Sequence, residues 1–285
     1  QAGRTPNPDI MCNQEIKFRL FLDTARERGA DLIATGHYAQ TGGVYAEDDS
    51  AATNQEHSFQ PDHLYRAIDA AKDQAYFLYR VTSDALQHTL FPLGGYTKQQ
   101  VRHMASERGL WTARKQESMG VCFVGNVGMR DFLSQYISTH PGDIIDKQTG
   151  VVLGRHDGAI FYTLGQRHGL DVGGGLPYYV VGKDMAANVV YVSRNMNDEA
   201  MWRHDVLVGD LHWIHGAPAA DDQLTVRLRH RGQLRPCTLQ YDSAQAQATL
   251  HLSDPERAVA AGQSAVIYRG AECLGGGVVV DSMAL

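Results

Sequence analysis

The stretch EIKFRLFLDTARERGADLIATGHYA, residues 15–39, decides the fold class of this chain. The apolar side chains that share one face of a predicted helix are Ile16, Leu20, Phe21 and Ala25. Asn13 is predicted to cap this helix and Gly29 to end it. The run from Leu32 to Ala34 then has the composition of a short buried strand that ends in a Gly-His turn. A helix followed by a buried strand is half of an α/β unit, and it predicts a parallel sheet.

The α/β pattern continues over the first half of the chain. Two short strands are predicted around Val44-Tyr45 and Leu64–Ile68. Residues 72–133 are predicted to be mainly helical, because KDQAYFLYRV (72–81) and TKQQVRHMASERGL (97–110) carry apolar residues at three-to-four spacing. Thr97 is predicted to cap the second of these helices, and a further short helix is predicted from Asp131.

The second half of the chain has a sequence pattern that is typical of β-structure. From about Gly142, glycine becomes frequent and runs such as GAIFYTL, YYVVGKD and NVVYVSR alternate with turns. From Asp205, strands recur at spacings of about ten residues, which favours a small barrel or sandwich. We therefore predict an α/β domain at 1–137, a β-rich central module at 138–205 and a C-terminal β-barrel at 206–285.

Composition limits the classes of function. The chain of 285 residues has a formal net charge of -6, which argues against a general polyanion binder, so any contact with RNA needs a local basic patch. No apolar run approaches the ~18 residues that span a bilayer. The four cysteines form no CxxC pair, so neither a disulfide framework nor a zinc site is expected. We expect no bound metal, and each cysteine taken alone is a small buried hydrophobe.

Six motifs occur in an order that is typical of one family. They are GRTPNPDIMCNQEIKF (3–18), ATGHYA (34–39), KDQAYFLY (72–79), GVCFVG (120–125), FYTLGQRHGL (161–170) and AECLGGGVV (271–279). Together they closely resemble the tRNA-specific 2-thiouridylases, bacterial enzymes that place sulfur on the wobble uridine. The resemblance covers essentially the whole chain. It implies an adenine-nucleotide α-hydrolase-like sheet domain, a central β module and a barrel, acting in the cytoplasm.

The same resemblance implies a reaction, its co-substrates and its partners. The reaction is ATP-dependent transfer of a persulfide sulfur to C2 of uridine 34 in tRNAs for Lys, Glu and Gln. ATP with Mg²⁺ is the implied cofactor, and tRNA and a sulfur-donor protein, either a cysteine desulfurase or a relay protein, are the implied partners. One departure is large: the family's opening SGGVDSS-like phosphate loop does not occur in this sequence. We therefore expect an N-terminally truncated sheet domain, an incomplete ATP site and little ATP-dependent activity, with a fragment favoured over a natural pseudoenzyme.

The resemblance gives two cysteines a role in sulfur transfer. A persulfide on one cysteine has a nucleophilic terminal sulfur, and a second cysteine releases that sulfur by thiol–disulfide exchange. The family pattern assigns the persulfide to Cys122 and the resolving thiol to Cys12, which implies a disulfide between them. Cys12 is predicted to precede a helix start, where main-chain N–H groups lower a thiol pKa. Cys237 and Cys273 lie on predicted barrel strands and are expected to pack in the core.

The residues around Cys12 and after the buried strand supply further candidates. Asp9 is the candidate general acid or base, with capping of the helix as its alternative role. Asn7 and Pro8 complete the Asn-Pro-Asp segment that contacts the target base in the family. Gly36 is expected to contact ATP through its main chain, and His37 is expected to contact tRNA, although a single histidine after a strand is often structural.

Other candidates for tRNA contact lie farther along the chain. Lys72, Asp73 and Gln74 match a polar trio that the family uses on tRNA, the alternative being a solvated helix start. In RLRHRGQLR, alternation predicts a positive stripe of Arg227, Arg229 and Arg231 on one strand face. Arg229 and His230 match a family pair that is usually Arg-Tyr. The last candidate is Gln263.

Three hypotheses follow. The first is an RNA-modifying sulfurtransferase, and the second is a tRNA-binding remnant without catalysis because the nucleotide loop is missing. The third, a two-cysteine redox protein that acts on other proteins, lacks support because the sequence has no CxxC motif.

Overall fold

The computed structural model describes residues 7–42, 60–115, 135–173, 175–195, 201–219, 222–242 and 244–280. Three predicted features lie outside these ranges: Cys122, the strand at Val44-Tyr45 and the start of the helix at Asp131. Among the described residues, no helix has both the length and the apolar character needed to cross a membrane.

The N-terminal helix begins earlier than the sequence predicts. It runs through α1 (Pro8–Met11), a π-helical stretch (Cys12–Leu20) and α2 (Phe21–Glu27) without a break. Asn7 is the N-cap, since its side chain accepts a hydrogen bond from the N–H of Asp9 at 3.1 Å. Asn followed by Pro is a strong start signal, because proline has no N–H to lose in the first turn. The predicted cap at Asn13 is therefore wrong, whereas the predicted end at Gly29 (φ 87°) is confirmed.

A short parallel pair follows the helix, as predicted. Strand β1 (Ile33–Ala34) pairs in parallel with β4 (Thr89–Leu90). Helix α3 (Ser83–Gln87), capped by Thr82, leads into β4. Phe18 and Leu22 on the N-terminal helix pack with Ile33 and Phe91 in one hydrophobic cluster, so the helix covers this sheet.

The segment at 72–81 is not the predicted helix. It contains one helical turn, Ala75–Phe77. Tyr76, Leu78 and Tyr79 are all fully buried, in the cluster that joins the N-terminal helix to barrel residues. Burial on every side removes the need for one apolar face, so the spacing of apolar residues does not report a helix here. By contrast, α4 (Lys98–Glu107) is confirmed, with a capping box between Thr97 and Gln100.

The central module is a mixed four-stranded sheet. Its strands are β5 (Gly142–Asp146), β6 (Val152–His156), β7 (Tyr179–Asp184) and β8 (Val189–Ser193), in the order β6-β5-β8-β7. Strands β5 and β8 are parallel and the other pairs are antiparallel. GAIFYTL forms a helical turn at Ala159–Phe161 rather than a strand.

The C-terminal strands close into a six-stranded barrel. They are β9 (Trp202–Trp213), β10 (Leu224–Arg227), β11 (Arg235–Asp242), β12 (Gln247–Arg257), β13 (Ser264–Arg269) and β14 (Glu272–Val279). Closure comes from the pairing of β13 with β14. The predicted boundary between residues 205 and 206 lies within β9. Strands β3 (Leu64–Arg66) and β2 (Ala39–Gln40) extend the sheet from β14, so the barrel is continuous with the α/β region.

Glycine is required where β14 crosses its neighbours. A Cβ atom built on Gly275 would lie 2.1 Å from the carbonyl oxygen of His212, and one on Gly276 would lie 2.1 Å from that of Ala265. The GGG run at 275–277 is therefore a packing feature of the barrel. These observations confirm the predicted class, an α/β sheet region followed by a β-rich module and a barrel.

Candidate active site

The candidate catalytic residues of the N-terminal segment share one helix face. Asp9 and Cys12 are three residues apart in the first turns of the helix, a spacing that brings side chains together. Both residues are half-buried. The N–H of Cys12 already donates to the carbonyl groups of Pro8 and Asp9. Cys12 thus lies within the helix rather than before it, and the prediction that it faces the N–H groups of a helix start is wrong.

Asp9 does not cap the helix, because Asn7 does. One carboxylate oxygen of Asp9, Oδ1, is buried and has no hydrogen-bond partner among the residues that the structure describes. A buried carboxylate oxygen that accepts no hydrogen bond destabilises the folded state. A hydrogen bond from a ligand to this oxygen would therefore be especially favourable. This unsatisfied oxygen lies on the same helix face as Cys12.

Contacts from the middle of the chain hold this helix in place. The side-chain amide of the buried Asn13 donates to the carbonyl of Phe77 at 3.0 Å. Arg80 donates through Nε to Gln14 at 2.8 Å and forms an ion pair with Asp210 at 2.9 Å. The barrel strand β9 and the N-terminal helix are therefore connected through one arginine, Arg80.

The Gly-His turn after β1 contains one exposed and one buried residue. Gly36 lies at the carboxyl end of a parallel strand, the usual place for ligands in such sheets. His37 is buried near the rings of Phe18 and Phe91, and its Nδ1 lies 2.9 Å from the hydroxyl of Thr35. Burial, with a smaller contribution from the charge of Lys17, lowers the pKa of His37 to about 4. His37 is therefore neutral at physiological pH.

The trio Lys72, Asp73 and Gln74 does not form a solvated helix start. Asp73 is buried, and its Oδ1 accepts the N–H groups of Ala67 and Ala75, each at 3.2 Å. Its Oδ2 accepts a hydrogen bond from Arg227 at 2.8 Å. Gln74 accepts the N–H of Tyr38 at 2.9 Å. Asp73 and Gln74 thus have structural partners, and Lys72 is the member of the trio that lines a cleft.

The cleft has a volume of about 400 Å³ and is lined by Ala70, Ala71, Lys72, Arg227, Arg231 and Gly232. Arg227 pairs with Asp73, and Lys72 and Arg231 are the other two cationic residues of the lining. The predicted strand-face stripe is wrong, because β10 ends at Arg227 and Arg231 lies in the turn that follows, at φ 60°. The basic patch is built by this turn against the 70–72 loop.

The remaining barrel candidates lie in or near this turn. Arg229 lies 3.3 Å from Glu256, which also pairs with Arg235. The ring of His230 packs on that of Phe77 at 4.3 Å between centroids. Burial, then the charges of Arg231 and Arg227, lower the pKa of His230, whereas Asp73 and then Asp9 raise it. Gln263 precedes β13, and its main chain bonds to Ala260 and Val279.

The two barrel cysteines are core residues, as predicted. Cys237 and Cys273 are both buried. Burial raises the pKa of Cys237 to about 12 and raises that of Cys273 further above its ordinary value. Thiols of this kind are inert, so neither residue competes with Cys12 for sulfur chemistry.

Comparison with known proteins agrees with this architecture. Residues 1–126 match the model described as "tRNA methyl transferase HUP domain", residues 130–194 its "PRC-barrel domain", and residues 203–279 the "Aminomethyltransferase beta-barrel domain". The tRNA-specific 2-thiouridylase MnmA of Ralstonia nicotianae is 44% identical over 99% of this chain and 74% of its own length. The chain belongs to the tRNA-specific 2-thiouridylase family.

Two further 2-thiouridylases are similar to this chain over nearly its whole length. Those of Ralstonia pickettii and Enterococcus faecalis are 45% and 40% identical, each over 98% of this chain and 72% of their own length. The three model matches fall in the order of the α/β region, the central sheet and the barrel, so the family architecture is continuous along the chain.

Sequence reasoning misses two features of the 2-thiouridylase site. The first is the buried ion pair of Asp73 with Arg227, whose residues lie 154 positions apart. The second is the place of Arg231, which lies in the cleft rather than on a strand face. A signal for the turn is present, since Gly232 and Gln233 interrupt the alternation of β10.

Proposed function

We propose that this chain is a tRNA sulfurtransferase that transfers a persulfide sulfur to C2 of the wobble uridine, in tRNAs for Lys, Glu and Gln. The observation that carries the proposal is the buried Oδ1 of Asp9, which has no hydrogen-bond partner among the described residues and lies three positions before Cys12 on one helix. Similarity to 2-thiouridylases along 98–99% of the chain supports the substrate class.

The two cysteines divide the sulfur chemistry. The terminal sulfur of a Cys122 persulfide forms a bond to C2 of the uracil, and the bond from C2 to its activated oxygen breaks. The thiolate of Cys12 then attacks the Sγ atom of Cys122, and the electron pair of the broken S–S bond stays on the transferred sulfur. The products are 2-thiouridine and a disulfide between Cys12 and Cys122, which a cellular dithiol reduces.

The Asn-Pro-Asp segment holds the base and moves the proton. Because Oδ1 of Asn7 caps the helix, we assign its Nδ2 group to a carbonyl of the uracil. Exposed Pro8 offers a rigid apolar surface to the extruded ring. Asp9 accepts the thiol proton of Cys12 as the thiolate forms, and it returns the proton to Cys12 when the disulfide is reduced.

Other residues bind the co-substrates. ATP, with Mg²⁺, supplies the activation that makes the uracil oxygen a leaving group. The main chain of Gly36 fits a nucleotide contact, because a Cβ there would meet only Leu93, at 3.9 Å, which leaves its backbone open to a ligand. Neutral His37 offers a hydrogen bond rather than a charge to tRNA. Lys72 contacts the phosphate backbone beside the cleft. Asp73 and Gln74, whose N–H groups donate to the carbonyls of Asp69 and Tyr38, serve tRNA binding by holding the loop that carries Lys72.

The barrel supplies the remaining RNA contacts. Arg229, His230 and Gln263 are assigned to tRNA, with the ring of His230 taking the place of the tyrosine that is usual in the family. A persulfide on Cys122 also needs a donor, so a cysteine desulfurase or a sulfur-relay protein is a required partner. Since tRNA is the substrate, we place the reaction in the cytoplasm. The proposed units are the α/β domain at 1–137, the central module from 138, and the C-terminal barrel, whose boundary moves from residue 206 to the start of β9 at Trp202.

The test is nucleoside mass spectrometry of tRNA from a strain without its own 2-thiouridylase that carries a gene for this chain joined in frame to an SGGVDSS-like phosphate-loop segment, which the 285 residues do not contain. We expect 2-thiouridine with the unsubstituted gene and none with Cys122→Ser or Cys12→Ser. Both variants should bind tRNA with nearly unchanged affinity, because neither thiol is assigned a phosphate contact in this proposal. Unchanged 2-thiouridine in the Cys122→Ser strain would contradict the assignment, and tRNA binding without thiolation by the unsubstituted chain would favour the remnant.

A further inference from the structure

A second group of reactive side chains lies where the α/β region meets the barrel. Asp62 and His63 immediately precede β3, and His215 follows β9. The hydrogen bond from the N–H of Ile214 to the carbonyl of Leu274 fixes the end of β9 beside β14. Three elements thus bring together residues that are 153 positions apart in sequence.

The three side chains converge within the size of one metal coordination sphere. One ligand atom from each of Asp62, His63 and His215 lies within 4.8 Å of the other two. Nε2 of His63 is 3.9 Å from Oδ1 of Asp62, and Nε2 of His215 is 3.7 Å from Oδ2 of the same carboxylate. Ligand atoms around tetrahedral zinc are about 3.3–3.5 Å apart, given bonds of about 2.0–2.2 Å. The two nitrogen–oxygen distances, 3.9 and 3.7 Å, are therefore only slightly longer than this spacing.

A second carboxylate orients the central histidine. Glu272 pairs with Tyr65 across β14 and β3, so strand alternation places it on the same face as His63. Nδ1 of His63 lies 2.6 Å from Oε1 of Glu272 and donates to it. This bond leaves Nε2 with the lone pair, directed toward Asp62. A carboxylate that accepts from the far nitrogen of a histidine is the usual outer partner of a metal ligand.

We propose that this cluster is a zinc site, with Nε2 of His63, Nε2 of His215 and the carboxylate of Asp62 as ligands and water in the fourth position. Two imidazoles and one carboxylate favour Zn²⁺ over Mg²⁺ or Ca²⁺, which prefer oxygen ligands. This inference does not depend on the proposed function. It also replaces the expectation, drawn from cysteine spacing, that the chain binds no metal.

Binding requires one local rearrangement. The rings of His63 and His215 are stacked at 3.9 Å, and Nε2 of His215 donates to the carbonyl of Asp62 at 2.9 Å. An imidazole holds a metal in its own plane, so the His215 ring turns out of the stack. The proton on Nε2 of His215 moves to Nδ1 through solvent, with no net release. His215 lies in an exposed loop, which permits this motion.

The location indicates what the metal does. Asp62 and His63 belong to the segment that matches the α/β domain model, and His215 belongs to the segment that matches the barrel model. A bound ion therefore links two segments that are distant along the chain. Because only the folded chain assembles all three ligands, zinc stabilises the folded state by mass action.

The test is calorimetric titration of the EDTA-treated chain with zinc chloride. We expect one tight equivalent that disappears in His63→Gln and His215→Gln. Glu272→Gln should weaken binding about 10- to 100-fold, as removal of an outer partner does. His103→Gln is the matched control, because His103 also lies beside a carboxylate, 3.4 Å from Glu107, but outside the cluster. It should bind zinc as the unsubstituted chain does.

Two further measurements distinguish this site from zinc held by the cysteines and from adventitious binding. The Cys12→Ser/Cys122→Ser variant should retain the equivalent, and bound Co²⁺ should show no thiolate charge-transfer band. Zinc should raise the melting temperature of the unsubstituted chain and not that of His215→Gln, while both melt alike in EDTA. The proposal is wrong if no tight equivalent binds, if the equivalent persists in His215→Gln, or if it is lost with the two cysteines.

Discussion

At the scale of single residues, Asp9 combines two properties that suit proton transfer. It is three residues from Cys12 on a helix, and its Oδ1 is buried without a partner in the described part of the chain. Its alternative role, helix capping, is taken by Asn7. In the proposed mechanism Asp9 moves the proton, whereas Asn7 caps the helix and holds the base, so substitution can separate proton transfer from capping.

Asp9→Asn tests this separation. An amide preserves the shape of the carboxylate but cannot accept a thiol proton, so thiolation should fall by about 10²–10⁴-fold. The melting temperature should hardly change. Asn7→Ala, the matched control, should instead lower the free energy of unfolding by about 1 kcal/mol through loss of the cap. In vitro thiolation rates and urea unfolding of both variants give the answer, and an active Asp9→Asn enzyme would exclude the proton-transfer role.

His37 makes stability depend on pH. Its folded pKa, about 4, lies below the ordinary histidine pKa of 6.5, so the unfolded chain binds the proton more tightly. The contribution of His37 to the free energy of unfolding is therefore fully present above pH 6.5. It is lost as the pH falls toward 4, by about 3 kcal/mol over that range. His37→Gln removes the titrating group. Between pH 7 and pH 4 the free energy of unfolding, measured with urea, should fall less for His37→Gln than for the unsubstituted chain. Equal decreases would mean that burial does not lower the pKa of His37.

At the scale of elements, the end of β10 is fixed by a buried ion pair. Arg227 and Asp73 have side-chain exposures of 7% and 1%, so their 2.8 Å contact joins the barrel to the loop before the Ala75–Phe77 turn. Such a pair need not stabilise more than apolar residues would, but removal of one partner leaves a buried charge.

Arg227→Met should therefore lower the free energy of unfolding by about 3–5 kcal/mol, since Asp73 loses its counter-charge. Arg229→Met is the control two residues away. The Arg229 side chain is 56% exposed, and loss of a surface pair costs about 1 kcal/mol or less. Urea unfolding measures both variants. Similar decreases in the free energy of unfolding would show that the buried ion pair contributes no more to stability than the surface pair does.

The glycines of β14 give a second prediction at this scale. Gly276→Ala places a Cβ against the carbonyl of Ala265, which should cost more than about 4 kcal/mol or prevent folding. Gly95→Ala is the control, because a Cβ there meets nothing within 4 Å; its effect should stay within about 0.5 kcal/mol. Soluble yield and melting temperature report the outcome. A stable Gly276→Ala chain would mean that β14 does not approach its neighbours so closely.

Local signals determine which elements the sequence predicts well. The capping box at Thr97 and the glycine at position 29 act within one helical turn. The start of α4 and the end of the N-terminal helix can therefore be predicted from the sequence alone. The predicted start of the first helix is wrong because Asn13 resembles a cap, although its amide is used by Phe77. The prediction for 72–81 is wrong for a different reason: tertiary burial on all sides overrides any one-faced pattern.

At the scale of the whole molecule, charge is organised locally. The net charge is -6, yet Lys72 and Arg231 face one cleft of about 400 Å³. The sequence predicts a local basic patch but not its position, because the cleft joins residues from distant segments. The same holds for the cluster of Asp62, His63 and His215, whose members lie as much as 153 residues apart. Contacts over such separations require the fold.

The cleft predicts how tRNA binding depends on salt. Each lost phosphate contact should reduce the slope of log affinity against log salt by about 1. Lys72→Ala and Arg231→Ala should each do so, whereas Arg155→Ala on the central sheet, an exposed arginine beside Asp143, should not. Filter binding at several salt concentrations measures the slopes. A slope unchanged in both cleft variants would place the phosphate contacts elsewhere.

The π-helical stretch Cys12–Leu20 has a consequence for how this chain tolerates change in length. Such a stretch holds one residue more than an ordinary helix needs for the same rise. Deleting one of its residues would restore ordinary winding and leave the upstream turns close to their present orientation, because the extra residue is the one that the wider turns absorb. A further inserted residue is not absorbed in this way and would rotate everything upstream by about 100°, the turn of one residue. Asp9, whose charge acts on His230 in the barrel turn, would then point elsewhere. We therefore expect relatives to tolerate one residue fewer in this stretch and not one residue more.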